Sequence, residues 1–124
     1  MSITGFDKET KPLNAFEKEL LPGMIKGLRT KWGKENAISA RQIIQAYRAQ
    51  DIKISGARVR KMINYIRIKR LVTKLISSNR GYYRATKKKE ILLYQRSLQE
   101  RIDAIQAVAD SYKTEIESWE QIPK

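Results

Sequence analysis

The chain contains no cysteine and no histidine. The first absence excludes a disulfide framework, and the two together exclude a zinc site of the usual kind. Without histidine the commonest general base is missing, and with it every Ser-His or Cys-His nucleophile. The close acidic pairs Glu17-Glu19 and Glu115-Glu117 lie on neither a Gly-rich phosphate loop nor a metal-ligand spacing. The sequence therefore points away from catalysis and implies neither a metal nor another cofactor. No run approaches 18 apolar residues, which argues against a membrane span. The opening MSITGFDKETKPLNAF has no apolar stretch and carries acids early, unlike a signal peptide. Ser2 stands where myristoylation needs glycine. The expectation is a cytoplasmic protein.

Acid is also missing from one long stretch. Between Lys53 and Lys89 there are 13 basic residues and none of opposite sign. Over the whole chain 26 Lys and Arg face 13 Asp and Glu, a net charge of +13. Residues 1–86 carry that entire excess, and 87–124 are balanced at 7 and 7. A solvated surface normally mixes signs. An excess gathered into one segment that also reads as folded points to a polyanionic partner. With 41% hydrophobic residues the chain has the means to build a core.

At 124 residues, one domain with an appendage is expected. Residues 1–13 show no period and read as a flexible arm. Asn14 followed by Glu17 is a capping box, and Phe16, Leu20, Met24, Ile25, Leu28 and Trp32 recur at helical spacing up to Gly33. Pro22 either kinks this helix or opens its main part. Asn36-Ala37-Ile38 reads as a short strand. Ser39 and Gln42 form a second capping box, opening a helix over about Ala40–Ala49 with Ile43, Ile44 and Tyr47 inward. Gln50–Ile54 is a turn, and Ser55 caps a third helix, Gly56–Arg70. LVTKLISS and YYRAT flank Asn79-Arg80-Gly81 and read as a two-stranded hairpin with Gly81 at positive φ. Of Tyr82 and Tyr83, one belongs to the core and the other to a half-exposed face. From Lys88 to about Trp119 the pattern is again helical.

On a helical wheel the third helix divides cleanly. Val59, Met62, Ile63 and Ile66 form a core stripe. Ala57, Lys61, Asn64 and Ile68 fall opposite, flanked by Arg60 and Arg67 on one edge and Arg58 and Tyr65 on the other. A helix entering the major groove needs this division, because Lys and Arg reach guanine or phosphate and Asn pairs with adenine. Gly56 and Ala57, behind the cap Ser55, let the backbone approach closely, and the first-turn N–H groups suit a phosphate. The hairpin tip, with Asn79 and Arg80 at its end and Lys74 and Arg84 on its arms, can lie on the DNA backbone or enter a minor groove. The expected DNA-binding set is therefore Ser55, Gly56, Ala57, Arg58, Arg60, Lys61, Asn64, Arg67, Lys74, Asn79, Arg80 and Arg84.

ISARQIIQAY, ISGARVRKMINYIR and LISSNRGYYRAT together resemble a winged helix-turn-helix protein of the kind common in phage and prophage genomes. The resemblance covers roughly Glu17 to Thr86. It implies a mainly α fold with a small β-hairpin wing, a third helix in the major groove of double-stranded DNA, and Arg58, Arg60, Lys61 and Asn64 near the bases. It also implies a phage or bacterial regulator, or a replication accessory, working in the bacterial cytoplasm. The Gln50–Ile54 turn is longer than the three or four residues usual there. On this reading residues 14–87 are the winged helix-turn-helix domain and 88–124 a long C-terminal helix.

In that last helix Ile91, Leu98, Ile105, Tyr112 and Trp119 are seven apart, and Ile102, Ala109 and Ile116 lie four beyond the middle three. The 3-4 spacing is that of a coiled coil, with Gln95 the one polar member. A homodimer through Leu98, Ile102, Ile105, Ala109, Tyr112 and Ile116 is expected, presenting two recognition helices to two half-sites. The alternatives are packing of the helix on its own domain and, for the protein as a whole, an interaction adaptor or virion component without specific DNA readout.

Overall fold

A computed structural model describes residues 11–120. The chain divides into two units, one ending at Lys88 and one beginning at Lys89. The first contains helix α1 (Ala15–Arg29), a 3-10 turn (Lys34–Asn36), α2 (Ala40–Arg48), α3 (Gly56–Ile68) and an antiparallel hairpin of β1 (Leu75–Ser78) and β2 (Gly81–Arg84). Helix α4 (Lys88–Glu117) makes up nearly all of the second. The molecule is thus mainly helical with one small hairpin. Among the described residues no helix is long and apolar enough to cross a membrane.

Each helix start is written locally. The Asn14 side chain accepts from the Glu17 N–H at 2.8 Å, and the Glu17 carboxylate accepts from the Asn14 N–H at 2.9 Å. Ser39 and Gln42 make the same reciprocal pair at 3.1 and 2.9 Å. Ser55 Oγ takes the Arg58 N–H at 3.1 Å. These caps use donors that a helix cannot satisfy within itself. Helix α1 runs through Pro22 without restarting there. Pro22 has no N–H for the Lys18 carbonyl, so one rung of the ladder is missing.

The core lies where α1, α2, α3 and the hairpin arms meet. Met24 and Leu28 come from α1, Ile43 from α2, and Leu75, Ile76 and Tyr83 from the hairpin. Val59, Met62, Ile63 and Ile66 of α3 are fully buried. Burying each of these four contributes roughly 1.5–3 kcal/mol, which makes α3 the central element. Tyr82 is half-buried beside this core.

Several boundaries differ from the sequence reading, among them the first hairpin arm, whose strand begins at Leu75 and not at Leu71. Residues 1–10 of the expected arm lie outside the described residues, but Leu13 belongs to the core rather than to an arm. Helix α1 ends at Arg29, before Trp32, where the Lys31 N–H bonds the Leu28 carbonyl at 3.1 Å and the chain turns. The expected strand at residues 36–38 is a 3-10 turn followed by a single bridge. Asn36 Nδ2 donates to the Trp32 carbonyl at 2.7 Å, and Ile38 alone exchanges two backbone bonds with Tyr82. Helix α3 stops at Ile68, two residues early, in a turn where the Leu71 N–H reaches the Ile66 carbonyl and Arg70 sits at φ 55°.

A left-handed residue of this kind normally favours glycine. We expect Arg70→Gly to raise unfolding stability in urea by about 0.5–1 kcal/mol. Relief of the left-handed strain outweighs the added freedom of the unfolded chain. A destabilised variant would show that the Arg70 side chain contributes more than its backbone costs.

Candidate nucleic-acid interface

The structure sorts the expected DNA-binding residues into three groups. The first is held by Glu17. This carboxylate, only 1% exposed, sits at the start of α1 against α3. Its Oε1 accepts from Lys61 Nζ at 2.7 Å, and its Oε2 lies 3.3 Å from Arg58 Nε. Arg58 also stands over the Phe16 ring, 5.0 Å from its centre. Burial pushes the Glu17 carboxyl up. The hydrogen bond from Lys61, the Asn14 N–H and the charges of Lys61 and Arg58 outweigh that and hold it below its ordinary value. Two cations expected to face DNA are therefore turned toward α1, because a buried carboxylate has no better partner.

The second group lies at the base of the hairpin. Arg84 stacks on Trp32, 3.9 Å from the ring centre, and Lys74 approaches the same ring at 5.7 Å. The Arg84 guanidinium donates to the Thr73 carbonyl, to Thr73 Oγ1 and to the Arg29 carbonyl at 3.0–3.1 Å. Desolvation, and then the neighbouring Arg29, act against its charge. Arg84 thus ties the end of α1 to the hairpin, with three of its five N–H donors bonded within the protein. Tyr47 does similar work between α2 and α1, its hydroxyl donating to the Leu20 carbonyl at 3.2 Å. Its burial makes the phenol harder to ionise.

The third group forms a continuous outward strip. Ala57 and Arg60 are exposed, and Asn64 and Arg67 half-exposed, at successive turns of α3. Arg67 Nη2 donates to Asn64 Oδ1 at 2.6 Å and Arg67 Nη1 to Ser77 Oγ at 3.1 Å. These two bonds join the helix strip to β1. Beyond Ser77 the hairpin turns at Asn79 and Arg80, both exposed. The turn is stiffened by Ser78 Oγ, which accepts from the Arg80 N–H at 3.1 Å. At the other end of the strip Ser55 caps α3, leaving the Gly56 and Ala57 N–H groups in the first turn.

Sequence reasoning passed over Glu17 and Trp32 as parts of this region, and placed Ser77 in the hairpin tip without its bond to Arg67. The Ser39-Gln42 and Asn14-Glu17 boxes were readable because their partners lie three residues apart. Glu17 and Lys61 are 44 apart, and no local pattern joins them. Comparison with known protein families, with curated proteins and with solved structures gives no match for this chain.

Proposed function

We propose that the first unit binds double-stranded DNA as a non-enzymatic winged helix-turn-helix, with α3 toward the major groove and the hairpin tip on the backbone or in the minor groove. The observation that carries the reading is the strip Ala57, Arg60, Asn64 and Arg67. It continues through Ser77 to the Arg80 tip, all inside a segment without one acid. Element order supports it: helix, 3-10 turn, two helices, then a hairpin to which Ile38 adds one residue of a third strand through Tyr82. Arg60, Asn64 and Arg67 are the residues assigned to the groove, Gly56 and Ala57 to a phosphate, and Arg80 to the backbone. Lys61, Arg58, Lys74 and Arg84 act here by charge and by holding the frame.

Duplex titrations at several salt concentrations test the proposal. Six phosphate contacts give a log–log slope of about −5. Arg80→Ala is expected to weaken a selected site and random DNA alike. Asn64→Ala is expected to weaken the selected site more, by about 1–3 kcal/mol. A flat salt dependence, or no binding at low salt, rejects the reading and leaves a protein-interaction adaptor.

A further inference from the structure

Helix α4 has no buried residue over its 30 positions. Leu98, Ile102, Ile105, Tyr112 and Ile116 are exposed and share one stripe with Ala109. That stripe has coiled-coil spacing, and the charge along the helix bears on what covers it. From Lys88 to Arg101 the helix carries Lys88, Lys89, Arg96 and Arg101 against Glu90 and Glu100. From Ile102 to Glu117 it carries Asp103, Asp110, Glu115 and Glu117 against Lys113. The first half is positive and the second negative.

This polarity opposes the helix dipole, which favours acids at the N-terminal end and bases at the C-terminal end. The last turn has no basic residue at all. The arrangement therefore costs an isolated helix stability. It suits a helix lying against its own copy in the reverse direction, where Arg101 of each copy meets Glu115 of the other. A parallel pair would set like against like and leave Arg101 and Glu115 without each other.

We propose that α4 pairs antiparallel with α4 of a second copy of this chain. The register that sets Arg101 across from Glu115 of the other copy also completes the seam. Leu98 then meets Ile116, Ile102 meets Tyr112, and Ile105 meets the small Ala109. Each of these six apolar positions finds an apolar partner, and both ends of the seam gain an Arg101–Glu115 ion pair. The two helix starts at Lys88 stand about 55 Å apart along the axis. That exceeds the one-turn spacing of adjacent half-sites, so the expectation of a close operator pair does not follow from this dimer. The inference does not depend on DNA binding by the first unit.

The absence of cysteine makes a direct test simple. Gln99→Cys and Lys113→Cys lie beside the seam and leave the stripe intact. In the antiparallel register these two positions are neighbours across the pair, whereas two copies of residue 99 are about 24 Å apart along the axis. We expect light scattering behind a sizing column to give twice 14.4 kDa at tens of micromolar. A short bismaleimide should link a mixture of the two variants far more than either alone. Ile102→Asp with Ile105→Asp should reduce the mass to one chain while the helical signal of the first unit persists. A wild-type mass other than that of a dimer overturns the proposal. So does linking of Gln99→Cys alone as efficient as that of the mixture, because it reports a parallel pair.

Discussion

Glu17→Ala is expected to cost about 3–5 kcal/mol of unfolding free energy, because it strips a buried ion pair of one partner. The carboxylate serves two purposes that a single truncation removes together. It closes the capping box on the Asn14 N–H at 2.9 Å, and it neutralises Lys61 at 2.7 Å, whose side chain is only 15% exposed. Without it, a largely buried cation on the central helix loses its partner against α1, and the first turn of α1 loses a bond. Glu17→Gln separates the two roles. Its amide oxygen still accepts from the Asn14 N–H, so the cap survives and only the charge is lost. The loss should therefore be smaller than for Ala. The double variant Glu17→Ala with Lys61→Met should recover part of the stability, since no unpaired charge remains buried. Urea unfolding of the four proteins decides this. Equal stability of wild type and Glu17→Ala would mean that the pair is not buried in solution.

The same group sets an acid limit. Its folded pKa lies below its ordinary value of 4.5, so the folded state holds the charged form more strongly than the unfolded chain does. The stabilisation is complete above pH 4.5 and is lost as pH falls through the lower folded value. Stability of the wild type should therefore decline on acidification in that window. Glu17→Gln should show a shallower decline, and identical acid profiles would remove Glu17 as the cause.

Gly81→Ala is expected to cost about 3 kcal/mol, the sum of backbone strain and a steric clash. Gly81 holds φ 119°, which L side chains rarely adopt. A methyl there would also overlap the Ile38 carbonyl and lie 2.7 Å from Ser39 Cα. Both obstacles are backbone, so no side chain can swing away. Relief requires breaking the Ile38–Tyr82 bridge, with bonds of 2.9 and 2.8 Å, that fixes the hairpin against the start of α2. Faster amide exchange at Ile38 and Tyr82 should accompany the loss in a urea melt. A variant within half a kcal/mol of wild type would show that the hairpin stands away from Ile38 in solution.

If the hairpin is released in this way, the proposed DNA surface should fail with it. Arg67 reaches Ser77 only while β1 lies along α3, and Arg80 follows the hairpin. Glu17→Ala acts from the other side, through the face of α3 that Lys61 and Arg58 occupy. Frame and surface share the same helix.

What the sequence determined by itself was whatever is settled within a few residues. Asn14 with Glu17, Ser39 with Gln42, and Ser55 begin helices because their side chains reach N–H groups three positions on. The periodicity of Val59, Met62, Ile63 and Ile66 names the inner face of α3, and Gly81 names the hairpin turn. The polarity of charge along α4 was equally present in the sequence, since a helix maps order directly onto distance. Helix ends were less legible. Arg70 and Asp51 take the left-handed conformation at φ 55° and 59° where a glycine would have signalled a stop. Only the tertiary structure decided which cations face outward. Lys61 and Arg58 share a helix with Arg60 and Arg67, yet they turn to Glu17, a partner 44 residues from Lys61 that a one-dimensional pattern does not connect. Arg84 goes to Trp32 for the same reason. A basic residue is placed by whichever buried carboxylate, ring or carbonyl the fold brings within a few ångströms, and that neighbour exists only after the chain has folded.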